Sequence, residues 1–341
     1  MNPTGSSALP TLDEVARVAG VSRATASRAV NGGPKVSESA RRAVEEAVRT
    51  LGYVPNRAAR ALVTRRTDSV AVVVPEPDDR VFNDPFFAST LRAVTRVLGE
   101  REMQLVLLLA RPGAEETRML RYLSNRHVDG ALVVSHHRDD RLAELLPEIG
   151  LPCVFGGRPW TGSDRVPYVD VDNVAGGRDA TEHLVRRGCR RIGTIAGPAD
   201  MTAAIDRLTG WHDALLAAGL PSDAVVHGDF TEEGGRRAAE ELFARHPHLD
   251  GLVVASDLMA RSALAVARSR GLRVPDDLAV VGYDDLGVAE TTDPPLTTMK
   301  NPITEMAARA TQLLLDRIDG RETGGPYRLI IPSQLVVRAS A

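Results

Sequence analysis

Residues 11–62 read TLDEVARVAGVSRATASRAVNGGPKVSESARRAVEEAVRTLGYVPNRAARAL, and this stretch decides the fold of the N-terminal part of the chain. Thr11 and Glu14 have the spacing of a capping box at the start of a helix. Apolar residues then recur at helical spacing until Gly20, a residue that suits the left-handed end of a helix. Ser22 follows as a favourable N-cap. The pattern therefore predicts one short helix, a tight turn and the start of a second helix.

The second predicted helix covers residues 23–30 and ends at a run of glycines and a proline, which break helices. Ser37 is the N-cap of a third predicted helix, which runs to about Leu51 with its apolar residues on one face. Two short helices joined by a tight glycine-containing turn, then a third, are typical of a helix-turn-helix unit. We therefore predict an all-α domain over residues 11–52.

The second predicted helix presents a face that suits the major groove of DNA. Its short side chains let the backbone approach closely, and its arginines can pair with guanine edges. Hydroxyl groups at the helix start suit phosphate oxygens. A plain three-helix bundle is the alternative, but it leaves the small, basic face unexplained. The predicted DNA contacts here are Ser22, Arg23, Ala24, Thr25, Ser27, Arg28 and Asn31.

Charge is divided unevenly along the 341 residues. Residues 1–66 carry eleven Arg or Lys against five Asp or Glu, a net charge of +6, whereas the whole chain has −3, which leaves −9 for the rest. A small basic module on an acidic body favours a polyanionic partner for the module alone. A solvated basic surface is the alternative interpretation of the charge.

Residues 53–68 form the predicted connection between domains, with arginines and an exposed leucine. Because a helix this short is marginal in water, we expect it to fold only on DNA. Arginine would then meet phosphate and Leu62 would wedge between base pairs in the minor groove. A flexible linker is the alternative. The predicted contacts are Asn56, Arg57, Ala59 and Leu62; residues 1–10 are expected to be disordered.

From residue 69 onward, short apolar runs alternate with amphipathic stretches, which is typical of parallel α/β layers. The pattern restarts after about Asp170, so we predict two similar lobes. Ligands of such sheets bind beyond the carboxyl ends of the strands, here in the cleft between the lobes. The predicted strands are residues 69–74, 104–109, 130–134, 153–155, 191–196, 251–255 and 278–282.

Several function classes lack support in the sequence. No apolar run is long enough to span a membrane and no secretory signal is visible, so we expect a cytoplasmic protein. Cys153 and Cys189 are too few for a disulfide framework or a zinc site, and we expect both to be buried. No catalytic or nucleotide-binding motif occurs in the right setting, so an enzyme is disfavoured, and no cofactor or metal is expected. The adjacent His136 and His137 should diverge from a strand end.

The quoted stretch resembles the DNA-binding end of the LacI/GalR repressor family, without a gap from residue 11 to residue 62. The family core GVS-x-x-T-x-SR-x-xN is present, and one departure is Ala26, where the family usually has valine. The resemblance implies that Arg23 and Ala24 set base specificity and that Leu62 is the minor-groove leucine. It also implies a homodimer on a pseudo-palindromic operator in double-stranded DNA.

The body is similar to the effector domain of the same family, itself similar to periplasmic sugar-binding proteins. Matching pieces include GDF at residues 228–230 and GYDD at residues 282–285. The resemblance implies a first lobe of residues 69–170 and 301–328, and a second lobe of residues 171–300 and 329–341. It implies the effector contacts Phe86, Asp139, Arg207, Phe230, Ser256 and Asp284.

Structural roles are the alternatives for these effector residues. Asp284 could cap a turn, Arg207 could pair with Asp206 and Phe230 could belong to the core. An Arg and an Asp facing a cleft can each hold neighbouring hydroxyl groups. The purine-binding branch has polar residues where this chain has Met201 and Ala203, which favours a sugar-like effector over a purine. An exported solute-binding protein is a further alternative, but it would have no use for a basic helix-turn-helix.

Overall fold

The computed structural model describes residues 10–54, 66–109, 113–321 and 327–341. The chain divides into two compact units, the first ending at Thr67 and the second spanning Asp68–Ala341. Most of the predicted N-terminal tail and the predicted linker contacts Asn56, Arg57, Ala59 and Leu62 lie outside the described residues. Among the described helices, none has the length and apolar character needed to cross a membrane.

The first unit contains three helices, α1 (Leu12–Val18), α2 (Arg23–Val30) and α3 (Glu38–Leu51). Their starts follow the predicted local signals: Thr11 and Glu14 form a reciprocal capping box, and the Ser22 and Ser37 side chains each accept a backbone N–H. A small core of Val15, Ala16, Ala26, Val44 and Ala47 joins the helices. Ala26 is fully buried there, so the small side chain limits the core volume.

The second unit alternates strands and helices along its length. Its strands are β1 (Ser69–Val74), β2 (Gln104–Leu109), β3 (Gly130–Val134), β4 (Cys153–Gly156), β5 (Tyr168–Val171), β6 (Ile192–Ala196), β7 (Val225–His227), β8 (Gly251–Val254), β9 (Ala279–Asp284), β10 (Thr297–Lys300), β11 (Arg328–Ile331) and β12 (Gln334–Val336). Its α-helices are α4 (Asp78–Asn83), α5 (Pro85–Gly99), α6 (Ala114–Ser124), α7 (Leu142–Glu148), α8 (Asn173–Arg187), α9 (Thr202–Ala217), α10 (Glu232–Arg245), α11 (Asp257–Ser269) and α12 (Ile303–Ile318), with a 3-10 turn at Ala289–Thr291.

The strands form two six-stranded sheets, one in each lobe. The first has the order β11-β5-β4-β3-β1-β2 and the second β12-β10-β9-β8-β6-β7. Every pairing is parallel except that of β10 with β12. Apolar clusters cover both faces of each sheet, which explains the near-continuous Val, Ile and Leu runs of the central strands. The predicted two-lobed α/β architecture is confirmed.

The predicted lobe boundary at residue 328 is wrong. β11 pairs with β5, with Arg328 opposite Tyr168 and Ile331 opposite Val171, so the first lobe extends to Ile331. The chain changes lobe three times: after β5, after β10, and between β11 and β12. The family pattern placed the last crossing too early because β11 is a short edge strand with exposed residues, a weak signal in sequence.

Cys153 and Cys189 are free and buried, as predicted. Burial raises the pKa of the Cys153 thiol to about 12 and that of the Cys189 thiol to about 11. Both thiols are therefore protonated near neutral pH and serve as packing residues.

Candidate functional site

The predicted DNA-reading face is the outward face of α2 and its flanking residues. Ser22, Arg23, Ala24, Arg28 and Asn31 are exposed. The remaining two predicted contacts, Thr25 and Ser27, are half-buried. This arrangement leaves two guanidinium groups and short side chains on the open side of the helix, as a helix entering the major groove requires.

Local hydrogen bonds hold this face in shape. Ser22 Oγ accepts the Thr25 N–H at 3.1 Å, and the two hydroxyl groups lie 2.9 Å apart. Arg23 forms an ion pair with Asp13 at 3.2 Å, but both side chains are mostly exposed. Because exposed ion pairs are weak, this one can be exchanged for a contact with DNA at little cost. Asn31 Nδ2 donates to the Ser27 carbonyl at 2.8 Å, which fixes the end of α2.

The second unit has a cavity between its lobes, at the carboxyl ends of the parallel strands. Its volume is about 690 Å³, including the space open to solvent. It contains Phe86, Arg207, Phe230, Ser256 and Asp284, five of the six effector residues predicted from the sequence. The other lining residues are Arg80, Asp84, Ser135, His136, Gly156, Gly157, Asp170, Val171, Asn173, Met201, Thr202, Ala203, Asn301, Ile303 and Met306.

Arg207 extends from α9 into this cavity and is held by several partners. Its Nε donates to Asn173 Oδ1 at 3.0 Å and its Nη1 donates to the Ala255 carbonyl at 2.6 Å. Its guanidinium carbon lies 3.6 Å from the centre of the Tyr283 ring. The predicted alternative, a pair with Asp206, does not occur, because Asp206 binds Arg158. Arg207 is therefore fixed in position, with hydrogen-bonding capacity left for a ligand.

Two glycines allow α8 and α9 to approach closely and so place Arg207. A Cβ atom at Gly177 would overlap the backbone of Arg207, and one at Gly210 would overlap the Val174 carbonyl. Gly177 and Gly210 thus act in helix packing, whereas Gly176 leaves room for the Tyr283 and Ser333 side chains. The close approach holds the α9 backbone rigidly at the cavity wall.

Asp284 ends β9 with φ of 123°, a left-handed conformation that is strained in residues other than glycine. Its Oδ1 accepts a hydrogen bond from Asn301 Nδ2 at 3.0 Å and lies 3.8 Å from Arg207 Nη1. Burial raises the pKa of Asp284 to about 6, while the Arg207 charge works in the opposite direction. Near neutral pH the group is therefore a carboxylate, a strong acceptor for hydroxyl groups.

Phe230 follows β7 and is both a core residue and a cavity wall. It is 7% exposed and belongs to the apolar cluster of the second lobe. Its φ is 65°, a further strained position in the same cavity. The Arg80 guanidinium lies 5.2 Å from the ring centre, and that of Arg207 lies 6.0 Å away. The ring therefore lies near one arginine of each lobe.

Asp139 is the one predicted effector residue that does not line the cavity. β3 ends at Val134, Ser135 and His136 reach the cavity, and the chain then turns so that Asp139 is exposed. Ser256 lines the cavity and also accepts the Met259 N–H as the N-cap of α11. Positions at strand ends thus identify the right loop, but not which of its residues faces inward.

Sequence reasoning missed eight polar residues of the cavity, which are Arg80, Asp84, Ser135, His136, Asp170, Asn173, Thr202 and Asn301. Asp170 and Asn173 lie at the first crossing between lobes, and Asn301 lies at the second. Burial raises the pKa of Asp170 to about 6. Asn301 Oδ1 is buried without a protein partner among the described residues, so it can accept a ligand hydroxyl. Only Asn173 and Asn301 come just after a strand, whereas Arg80 lies within α4, Asp84 precedes α5 and Asp170 lies inside β5.

The two adjacent histidines diverge, as predicted. His136 Nε2 lies 3.2 Å from the Gly157 carbonyl, and burial lowers the pKa of His136 to about 4, so the ring is neutral. His137 faces Glu76 and Asp200. Within the described parts of the chain, no group of three or more His, Cys, Asp or Glu side chains is placed to hold a metal ion.

Together, a helix-turn-helix unit with a basic open face and a two-lobed domain with a polar cavity define a ligand-responsive DNA-binding regulator. Residues 11–56 match the family model described as bacterial regulatory proteins, lacI family. Residues 181–341 match that of the periplasmic binding protein-like domain. The chain belongs to the LacI family, and it is a transcriptional regulator.

Relatives and solved structures cover almost the whole chain. The HTH-type transcriptional regulator CelR of Thermobifida fusca is 51% identical over 97% of this chain and 98% of its own. The HTH-type transcriptional repressor CytR of Escherichia coli (strain K12) is 33% identical over 97% and 96%. A structure of a transcriptional regulator CelR-cellobiose complex is 48% identical, with a TM-score of 0.78 over 97% of this chain and 100% of that chain.

A crystal structure of the lac repressor dimer bound to operator and the anti-inducer ONPF is 26% identical to this chain. Its TM-score is 0.86, and the match covers 98% of this chain and 99% of that chain. The arrangement of a helix-turn-helix unit before two α/β lobes is therefore shared along the full length.

Proposed function

We propose that this regulator represses transcription as a homodimer on a pseudo-palindromic operator, and that its effector is a sugar of the cellobiose type. The observation that carries the proposal is the fixed pair of Arg207 and Asp284 in the cavity between the lobes. Support comes from the CelR-cellobiose complex, which is 48% identical to this chain. Cytoplasmic location, association with the nucleoid and action by binding rather than turnover belong to the same proposal.

The chemistry of the cavity suits a polyhydroxylated ligand. Arg80 and Arg207 can donate hydrogen bonds, and Asp284 and Asn301 can accept them. Phe230 adds an aromatic surface near both arginines, and aromatic rings pack well against the apolar faces of sugars. We therefore propose Phe86, Arg207, Phe230, Ser256 and Asp284 as effector contacts.

A purine or nucleoside effector is the second candidate. Specific recognition of a heterocycle requires polar groups that match its edge. Met201 and Ala203 line the cavity and offer no strong hydrogen-bonding groups there. The side chains at these two positions therefore favour the sugar.

The proposed mechanism links the cavity to DNA. Closure of the lobes around the sugar rotates the first lobes within the dimer and changes the spacing of the two linker segments at residues 58–62. Operator affinity then falls, so that the sugar acts as an inducer. Because linked equilibria are reciprocal, operator binding must weaken sugar affinity by the same factor.

The test is fluorescence anisotropy of the protein on DNA from its own promoter region, with cellobiose, glucose and purine nucleosides as the added ligands. We expect cellobiose alone to weaken operator affinity, and a shifted titration midpoint in its presence supports induction. Tighter binding would reverse the sign and indicate a co-repressor. If the protein binds the operator and only a purine shifts the affinity, the sugar assignment is wrong.

A further inference from the structure

A cluster of side chains beside the cavity joins the two lobes through a histidine. His137 belongs to the first lobe and Asp200 to the second. His137 Nδ1 lies 2.8 Å from Asp200 Oδ2, and Nε2 lies 3.0 Å from Glu76 Oε1. The next residue, Arg138, donates from its backbone N–H to the Asp200 carbonyl at 2.8 Å and from Nη2 to the Ala199 carbonyl at 2.9 Å. We call His137, Arg138, Ala199 and Asp200 the latch.

The hydrogen-bonding pattern of the latch requires a proton. A neutral imidazole has one N–H donor and one acceptor nitrogen, whereas an imidazolium has two donors. Both ring nitrogens of His137 face carboxylate oxygens, which can only accept. A neutral ring would therefore set a lone pair against either Glu76 or Asp200. Only the imidazolium satisfies both contacts at once.

The remaining charged groups around His137 favour this state. Glu76 is 3% exposed, binds Arg80 and accepts the Ser135 hydroxyl at 2.7 Å. Burial acts to raise the pKa of Glu76, but His137, Arg80 and Ser135 outweigh it, so the pKa is lowered and the group is ionised. Burial acts to lower the pKa of His137, but Glu76 and Asp200 outweigh it, so the pKa is raised.

Three more groups of the same loop face the ring region. Asp140 accepts the backbone N–H of His137 at 3.2 Å, and burial raises the pKa of Asp140 to about 6. His136 is neutral, and Arg138 points its guanidinium to Ala199 and over the Trp160 ring at 4.1 Å. All three groups belong to the first lobe. Asp140 and His136 have their partners within that lobe, whereas Arg138 loses its contacts with Ala199 and Asp200 when the lobes separate but keeps its charge.

The latch is continuous with the residues that contact the effector. Asp200 precedes Met201 and Thr202, which line the cavity and begin α9, the helix of Arg207. Thr202 Oγ1 donates to the Arg158 carbonyl at 2.6 Å, and Arg158 binds Asp206 of α9 at 2.6 Å. Contacts across the lobes therefore hold the start of α9, and with it Arg207, against the first lobe.

We propose that His137 is a positioning residue whose protonation locks the lobes closed, so that effector binding takes up a proton. This inference rests on the proposed function for its ligand. When the lobes separate, His137 keeps Glu76 of its own lobe and loses Asp200. A neutral ring satisfies that single contact. Because the pKa of the His137 ring is raised in the closed state, low pH favours lobe closure. This advantage is lost as pH rises through that pKa.

Calorimetric titration of the full-length protein with cellobiose between pH 7.0 and 8.5 tests the latch. We expect affinity to fall about two- to tenfold across this range, because one proton changes affinity by at most about tenfold per pH unit. In His137→Gln the affinity at pH 7.0 should drop to the wild-type value at pH 8.5. The cavity acids Asp170 and Asp284 contribute to the pH dependence of affinity in every variant alike, so their contribution cancels when the variants are compared.

The substitution Asp200→Asn keeps a hydrogen-bonding partner for His137 but removes the need for the ring to be protonated. An amide can both donate and accept, so Asn at this position satisfies a neutral ring. We expect a flat pH profile with affinity at pH 8.5 at least equal to that of the wild type. Asp140→Asn is the matched control, a neighbouring acid that does not cross the lobes, and it should keep the wild-type pH dependence. The same pH dependence in all four proteins would overturn the latch.

An NMR titration of the histidine rings tests the latch in the closed state, with cellobiose at a saturating concentration. The chain has eight histidines, and the signal absent in His137→Gln identifies His137. We expect its titration midpoint to lie above the ordinary value in the wild type and to fall in Asp200→Asn. Equal midpoints in the two proteins overturn the latch. Failure of cellobiose to bind at every pH refutes the sugar assignment instead, and the ring titration is then made with the ligand that shifts operator affinity.

Discussion

Asp284→Asn is the substitution that tests the proposed effector site most directly. It keeps the size of the side chain and removes the charge beside Arg207, from which the carboxylate is separated by 3.8 Å. A hydrogen bond to a charged group contributes about 1.5–3 kcal/mol. The loss of one such bond to a sugar hydroxyl therefore predicts an affinity about 10- to 150-fold weaker.

The cost in folding stability should be smaller than the cost in binding. Arg207 keeps its hydrogen bonds to Asn173 and Ala255, so its charge stays partnered. We expect the free energy of unfolding at pH 7.5 not to fall, because the raised pKa of Asp284 means that the folded protein disfavours its charge. The assay is calorimetric titration with cellobiose at pH 7.5, where Asp284, with its pKa of about 6, is ionised. Operator affinity without sugar should stay at the wild-type value.

Asp285→Asn is the matched control. Asp285 has similar burial but binds Arg338 at 2.7 Å and does not line the cavity. Because it removes one partner of a buried ion pair, this control should destabilise the fold more, by about 3 kcal/mol, without weakening sugar affinity. If Asp284→Asn binds cellobiose within twofold of the wild type, Asp284 does not contact the effector.

Four further substitutions, one of them a control, test other parts of the molecule. Arg23→Ala should weaken operator binding by about 1–3 kcal/mol and relax preference at one base pair per half-site in an anisotropy series; equal weakening on every DNA would show a phosphate contact. Gly177→Ala should lower the free energy of unfolding by about 1–3 kcal/mol, because the added methyl overlaps the Arg207 backbone. Gly99→Ala, with no described atom within 4 Å of the new methyl, should not destabilise. Burial raises the pKa of Asp257 to about 8, so unfolding, which lets this group ionise, becomes easier as pH rises from 4 to 8. Asp257→Asn should reduce this dependence of the unfolding temperature on pH. An unchanged dependence would show that Asp257 does not cause it.

Local signals in the sequence were sufficient for the first unit. The capping box at Thr11, the N-caps at Ser22 and Ser37 and the C-terminal glycines act within one turn of the helix that they begin or end. Such interactions depend on neighbours in sequence, so the sequence shows them directly. All seven predicted strands also occur: six are central strands buried on both faces, and β2, an edge strand, is also a continuous apolar run.

The strands and cavity residues that the sequence did not show depend on contacts between distant parts of the chain. β5 contains a charged residue and β10 begins with two threonines, so neither forms an uninterrupted apolar run. Arg80, Asp84 and Asn301 reach the cavity only because distant strands end at the same edge. The family resemblance implies that Asp139 contacts the effector, but the direction of a loop after its strand depends on tertiary contacts.

The three crossings between the lobes have a consequence for synthesis of the chain. β11 and β12 form the edge of one sheet each, and two residues separate them. Both sheets therefore receive their outermost strand after every other strand has left the ribosome. Neither lobe can be obtained by expressing one continuous segment of the gene. A truncation before Arg328 would expose an unpaired edge on β5 and on β10 together, and unpaired edges promote aggregation.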